Sequence, residues 1–147
     1  MAKKLIPMAI SYDFDGTLAS GNMQEYDFIP ALKLSSKQFW TSVTQLAEKQ
    51  EADQILAYMH AMLEEARIAR VPVRKADFKN YGAKIDLFPG VKEWFKRINV
   101  YARSKGVRLE HFIISSGIRE MVEGTPIYKE FKKVYASGFM FDANGVA

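Results

Sequence analysis

The chain opens on an apolar run, Leu5, Ile6, Met8, Ala9 and Ile10, that breaks off at Asp13. A short run of this kind before a polar turn predicts an extended strand. Further on the period changes to that of a helix. Phe39, Trp40, Val43, Leu46 and Ala47 recur at helical spacing behind Ser35-Ser36, a pair suited to cap a helix N-terminus. Ile55, Leu56, Met59, Met62, Leu63 and Ala66 make a second stripe, interrupted by Val71-Pro72-Val73 and followed by a shorter segment to Lys84. Behind Phe88-Pro89-Gly90, the positions Val91, Trp94, Phe95, Ile98, Tyr101 and Ala102 outline an amphipathic helix that Gly106 is placed to end. Residues 109–114 read as a strand whose end is Ser115-Ser116-Gly117. Short helices are expected near 119–123 and 128–133, strands at 134–136 and 139–141, and a turn at 142–145.

The first and last zones alternate strand and helix, which predicts an α/β fold with a parallel sheet and covering helices. Residues 1–18 and 88–147 form that core, and 19–87 is a helical insertion between the first strand and the first core helix. At 147 residues, one domain or a domain with a modest insertion is expected. No internal repeat or low-complexity linker is visible. In sheets of this type ligands bind beyond the carboxyl ends of the strands. Asp13, Asp15 and Ser115 all fall at that edge.

Composition narrows the function. Hydrophobic residues make up 48% and charged residues 26%, ordinary for a globular protein with a real core. A net charge of +4 and a pI near 9.2 favour anionic small molecules, and no stripe interleaves basic with aromatic residues as a nucleic-acid surface would. Without cysteine there is no disulfide frame, thiolate chemistry or cysteine zinc site, and two histidines, His60 and His111, make a histidine-rich metal site implausible. Lys3 and Lys4 precede the first apolar stretch as in a leader, but that stretch ends at Asp13 with no small-residue cleavage site behind it. No segment reaches the ~18 apolar residues that span a bilayer. A cytoplasmic protein without a membrane partner is expected.

The chemistry centres on SYDFDGTLA, residues 11–19. At the end of the first strand, Asp13 and Asp15 are expected to lie side by side on one face, just where Gly16 lets the chain leave the strand. Two carboxylates that close repel unless a cation or a shared proton lies between them. One can attack phosphorus as a nucleophile, and the other can protonate the leaving alkoxide and then deprotonate water. Both need a hard divalent cation, Mg²⁺ by ligand type. A hydroxyl at the end of the next strand can hold a phosphoryl oxygen. The backbone N–H groups of Phe14 and Gly16 can aim at an anion.

DFDGTL, Asp13 to Leu18, resembles the first motif of the haloacid dehalogenase-like (HAD) hydrolase superfamily, and FIISSG, Phe112 to Gly117, resembles its second. With FPGV ahead of the connecting helix, the chain is similar to the phosphoserine-phosphatase-like branch, which carries a helical cap after the first motif. The resemblance covers essentially the whole chain. It implies a Rossmann-like core and a Mg²⁺-dependent phosphomonoester hydrolase acting on a small phosphorylated metabolite through an aspartyl-phosphate. It further implies Asp13 as nucleophile and metal ligand, and Asp15 as general acid and base that also gives its backbone carbonyl to the metal. Ser115 would be the phosphoryl-binding hydroxyl, with Ser116 as a spacer or backbone donor. The superfamily's third-motif lysine and fourth-motif acidic group have no counterpart. Lys129, Lys132 and Lys133 precede the third strand, and Asp142 lies in a turn. The core is therefore expected to be truncated after its third strand, with the first strand left at an edge. The resulting expectation is a chain inactive alone, completed by a C-terminal segment or pairing with a second copy. The alternative is a non-catalytic remnant that self-associates or binds a partner through that edge.

Blander readings stand beside these. As an EF-hand loop the Asp-x-Asp-Gly stretch would put Asn22 where a bidentate Glu is wanted, so that reading fails. No phosphate-binding G-x-x-x-x-G-K-[ST] loop occurs. A dehalogenase would not need Asp15. Arg67, Arg70, Arg74 and Lys75 read as a solvated helix face that could meet an anionic substrate, and Glu25 as a residue that could meet an amine. Trp40 and Trp94 fit the apolar stripes as core, His60 as a partly buried residue of the insertion, and His111 as structural.

Overall fold

The computed structural model describes residues 5–147; Lys3 and Lys4, weighed above as the start of a leader, lie outside them. Three parallel strands form one sheet in the order β1-β2-β3, with β1 at Ile6–Tyr12, β2 at Val107–Ile118 and β3 at Lys133–Ser137. Ile6 pairs with Val107 and Tyr12 with Ile113 along one side of β2, while Ile114 meets Tyr135 along the other. The α/β class with a parallel sheet is thus present, and β1 is an edge strand among the described residues.

Between β1 and the rest of the sheet run α1 (Phe28–Ala31), α2 (Ser36–Gln50), α3 (Gln54–Ala69) and α4 (Lys75–Gly82); α5 (Val91–Ser104) precedes β2, and α6 (Arg119–Gly124) precedes β3. Ser35 caps α2 in a reciprocal box with Gln38, which satisfies two otherwise orphaned N–H groups. The α2–α3 hairpin is bracketed by two left-handed residues, Lys33 at φ 61° and Arg70 at φ 56°, where the chain breaks direction on either side.

Several expectations shift. The strand expected at 109–114 runs on to Ile118, with its pairing to β3 irregular between Ile114 and Ile118, so the two serines sit in a bulged stretch rather than beyond the strand. Residues 139–141 form no strand: Phe139 turns away to stack on Phe78 of α4, centroids 4.8 Å apart. The helix expected over 128–133 is a single 3₁₀ turn, Tyr128–Glu130. In α3 the buried stripe is Ala57, Tyr58, Ala61, Met62 and Ala66, one step round from the expected one, and Leu56 is exposed. The expected 142–145 turn is present, closed by the Gly145 N–H on the Asp142 carbonyl.

α5 covers one face of the sheet. Phe95, fully buried, packs edge-on against Tyr12, His111 and Phe131 at centroid distances of 5.7, 5.2 and 5.2 Å. The opposite face, with Ala9, Ser11, Ile114 and Tyr135, is open to solvent. α4 and α6 cross so closely that a Cβ on Gly82 would stand 1.9 Å from the Met121 carbonyl oxygen, and one on Gly124 the same distance from that of Lys79. Only glycine fits at either position.

Candidate active site

β1 ends at Tyr12, so Asp13 and Asp15 are held by the loop after it rather than by strand alternation. Phe14 between them is fully buried and anchors that loop. Its carbonyl accepts N–H groups of Thr17, Leu18 and Ala19 at 3.2, 2.9 and 3.2 Å, and the Gly16 N–H returns to the Ala19 carbonyl at 2.8 Å. Gly16 sits at φ 74°, where a side chain would be strained. The Phe14 N–H is bound at 2.7 Å by the carboxylate of Asp13 itself. Both N–H groups expected to face an anion thus have partners inside the loop.

The two carboxylates differ in environment. Asp13 is exposed. Asp15 is largely buried, with Oδ1 accepting the Met23 N–H at 2.9 Å. Burial pushes the Asp15 carboxyl up to about 7; the Met23 hydrogen bond opposes the shift, and the charges of Asp13 and Glu25 add to it. Among the described residues no group of three or more acidic or histidine side chains could cage a metal ion. The exposed Asp13 carboxylate, with backbone carbonyl oxygen available from the same loop, does match the small oxygen-ligand set with which Mg²⁺ is bound alongside waters and substrate phosphate.

The bulged end of β2 comes up against Asp15. A Cβ on Gly117 would lie 3.2 Å from Asp15 Oδ2 and 2.2 Å from the Met23 methyl, so a larger residue there would displace the Met23 side chain. Ser115 Oγ accepts the Gly117 N–H at 3.0 Å, leaving the hydroxyl hydrogen free to donate elsewhere. Tyr58, on α3, donates its hydroxyl to the Ser116 carbonyl, tying the helical hairpin to the sheet edge. Burial raises the Tyr58 hydroxyl to about 12, so it remains a donor across the neutral range.

A cavity of about 300 Å³ lies between these layers. Asp15, Ser116 and Gly117 form its sheet side, Trp40, Ile55 and Tyr58 its helical side, and Asn22, Gln24 and Gln54 complete the wall. Of the residues singled out in the sequence, Asp15 and Ser116 meet in this cavity, whereas Asp13, Phe14, Gly16 and Ser115 lie outside its lining.

Expected in the core, Trp40 packs against the core cluster and has a second role besides. It lines the cavity and donates its indole N–H to Glu25 Oε1 at 2.6 Å, which also accepts from Asn22 Nδ2 at 3.0 Å. Trp94 is exposed and donates to the Tyr12 hydroxyl instead. His111 is buried and structural, as expected, between Tyr12 and Asn99, and His60 is exposed. None of Arg67, Arg70, Arg74 and Lys75 lines the cavity; Arg67 pairs with Glu64. Lys132 pairs with Glu110 at 2.8 Å. Gln24, Gln54 and Tyr58 escaped the sequence reading because a polar residue in a loop or on a helix face has no periodic signature, and only the fold shows that they share a wall.

Among the described residues no helix is long and apolar enough to cross a membrane. A crystal structure of a HAD family hydrolase from Salmonella enterica serovar Typhi superposes with a TM-score of 0.61 at 18% identity, over 97% of this chain and 45% of that one. A phosphoserine phosphohydrolase-like protein from Francisella tularensis superposes at 0.59 and 22% identity, over 94% and 62%. These likenesses bear on the fold. An uncharacterized protein of Borreliella burgdorferi is 32% identical over 144 residues, which is 90% of this chain and 50% of that protein. The chain thus spans about half the length of the relative it matches in sequence. The sequence profile of the haloacid dehalogenase-like hydrolase family matches residues 10–146. With that match over nearly the whole chain and a parallel sheet carrying the two aspartates at its edge, the chain belongs to the haloacid dehalogenase-like hydrolase family.

Proposed function

We propose that this chain carries the site of a phosphomonoester hydrolase working through an aspartyl-phosphate, with a small phosphorylated metabolite as substrate. The supporting observation is the difference between the two carboxylates: Asp13 is exposed, and Asp15 is mostly covered and pushed by burial up to about 7. A carboxyl group raised in this way suits the acid's role, and an exposed carboxylate suits the nucleophile's.

An Asp13 oxygen attacks phosphorus and forms the acyl-phosphate bond while the ester oxygen–phosphorus bond breaks. The departing alkoxide takes the proton of Asp15. Asp15, now a carboxylate, takes a proton from water, whose oxygen bonds to phosphorus as the Asp13 carboxylate leaves. The net result is ester plus water to alcohol plus phosphate. Ser115 Oγ, fixed by the Gly117 N–H, donates to a phosphoryl oxygen, and the α2–α3 hairpin serves as a cap that limits water. Asp13 and Asp15 would hold Mg²⁺, which when bound supplies charge compensation for the phosphoryl group.

The test is turnover of a generic aryl phosphate by the natural gene product with Mg²⁺. Asp13→Asn should lower it at least about a thousandfold, and an unchanged rate would remove Asp13 as nucleophile. A second reading, self-association through the sheet edge, is supported by β1, where Ile6 and Met8 are 65% and 53% exposed.

A further inference from the structure

Gln24 is 2% exposed, lines the cavity beside Asp15, and has a side-chain oxygen with no hydrogen-bond partner. A buried amide oxygen left unpaired is destabilising. We propose that Gln24 determines specificity, and that the cavity takes the alcohol part of the substrate as a small, uncharged, hydroxyl-rich group, a polyol or sugar. The proposal rests on the phosphomonoesterase reading above.

Three features carry it. First, the wall contains three carboxamides, Asn22, Gln24 and Gln54, and no lysine, arginine or histidine. Its single ionisable acid is Asp15, with the Glu25 charge close enough to act on Asp15. A carboxylate or second phosphate on the leaving group would lie there without a cationic partner, which disfavours it. Second, a hydroxyl is both donor and acceptor, and so satisfies whichever edge of the Gln24 amide is turned toward it; an ammonium only donates and a carboxylate only accepts. The acid nearest the helical wall, Glu25, already takes two hydrogen bonds on one oxygen, from Trp40 and Asn22, and is not itself in the lining. Third, Trp40 and Tyr58 meet at 70° with centroids 6.0 Å apart, an aromatic corner against which the C–H faces of a polyol or sugar can pack while its hydroxyls reach the amides. About 300 Å³ suits an alcohol of that size.

The experiment measures affinity by calorimetry in the Asp13→Asn protein, where esters are expected to survive. Four probes are used: glycerol 1-phosphate, sorbitol 6-phosphate, 2-phosphoglycolate and phosphoethanolamine. The polyol phosphates should bind at least tenfold more tightly than the other two. Gln24→Met, close in shape, should lose at least tenfold of that preference while raising Tm, because an unpaired polar group leaves the core. Gln54→Ala, on an exposed helix start, should lose about threefold. Tighter binding of 2-phosphoglycolate or phosphoethanolamine overturns the polyol assignment and leaves the phosphatase reading standing. Unchanged preference in both variants overturns the role of the amides. Absence of binding by all four probes, together with no turnover of an aryl phosphate by the unmutated protein, overturns both readings.

Discussion

Asp15 meets two opposing demands, since the burial that suits it to hold a proton near neutrality also costs stability once the proton is lost. Its folded value, about 7, lies above the ordinary 3.8, so the folded state binds the proton more tightly than the unfolded state does. Its stabilising contribution is therefore complete below about pH 4 and is lost as pH rises to about 7. Asp15→Asn should gain about 2 kcal/mol at pH 8 in the presence of chelator, allowing for partial exposure, and should flatten the unfolding profile between pH 4 and 7. Mg²⁺ at pH 7.5 should raise the Tm of the parent protein and leave Asp13→Asn nearly unmoved. His111 has the opposite sign. Burial lowers its value from 6.5, so the stability tied to the neutral ring is present above 6.5 and falls away below it. Its ring closes a chain of hydrogen bonds, Trp94 to Tyr12 at 2.9 Å, Tyr12 to His111 at 2.9 Å, and His111 to Asn99 at 3.0 Å. Tyr12→Phe strands two of those groups and should cost about 1–3 kcal/mol in urea unfolding.

Among the elements, the crossing of α4 and α6 is least tolerant of change. Gly124→Ala forces a methyl into the Lys79 carbonyl and should cost about 3 kcal/mol or more. Lys79→Ala should cost under about 1 kcal/mol by the same assay, because its pair with Glu123 at 2.9 Å is partly exposed. Helices with strong periodicity and a cap were legible in the sequence: the Ser35 box and the Gly106 turn, φ 78°, mark real boundaries. The misreadings fall where a neighbour outweighs local pattern. Tyr58 displaces Leu56 from the buried stripe because its hydroxyl has a partner across the cavity, and Phe139 gives up strand geometry for the face of Phe78.

At the scale of the whole molecule, the edge position of β1 could be anticipated from the order of the motifs, and so could the pairing of the Asp13 loop with the Ser115 stretch. The wall opposite could not, since Gln24, Trp40 and Gln54 come together only through long-range packing. Ile6 and Met8 on the edge strand, with Ile114 and Tyr135 on the open face, leave apolar groups in water. Sedimentation should detect concentration-dependent association that Met8→Lys weakens and Leu56→Lys, on the exposed side of α3, does not. If both variants sediment like the parent, β1 is not the contact.

Tyr58 to Ser116 is a hydrogen bond that ties α3 to the end of β2 across the cavity. Tyr58→Phe keeps the ring and removes that tie, so amide hydrogen exchange in the α2–α3 hairpin should quicken, while exchange at the α4–α6 crossing, set by backbone contacts at Gly82 and Gly124, should stay as it is.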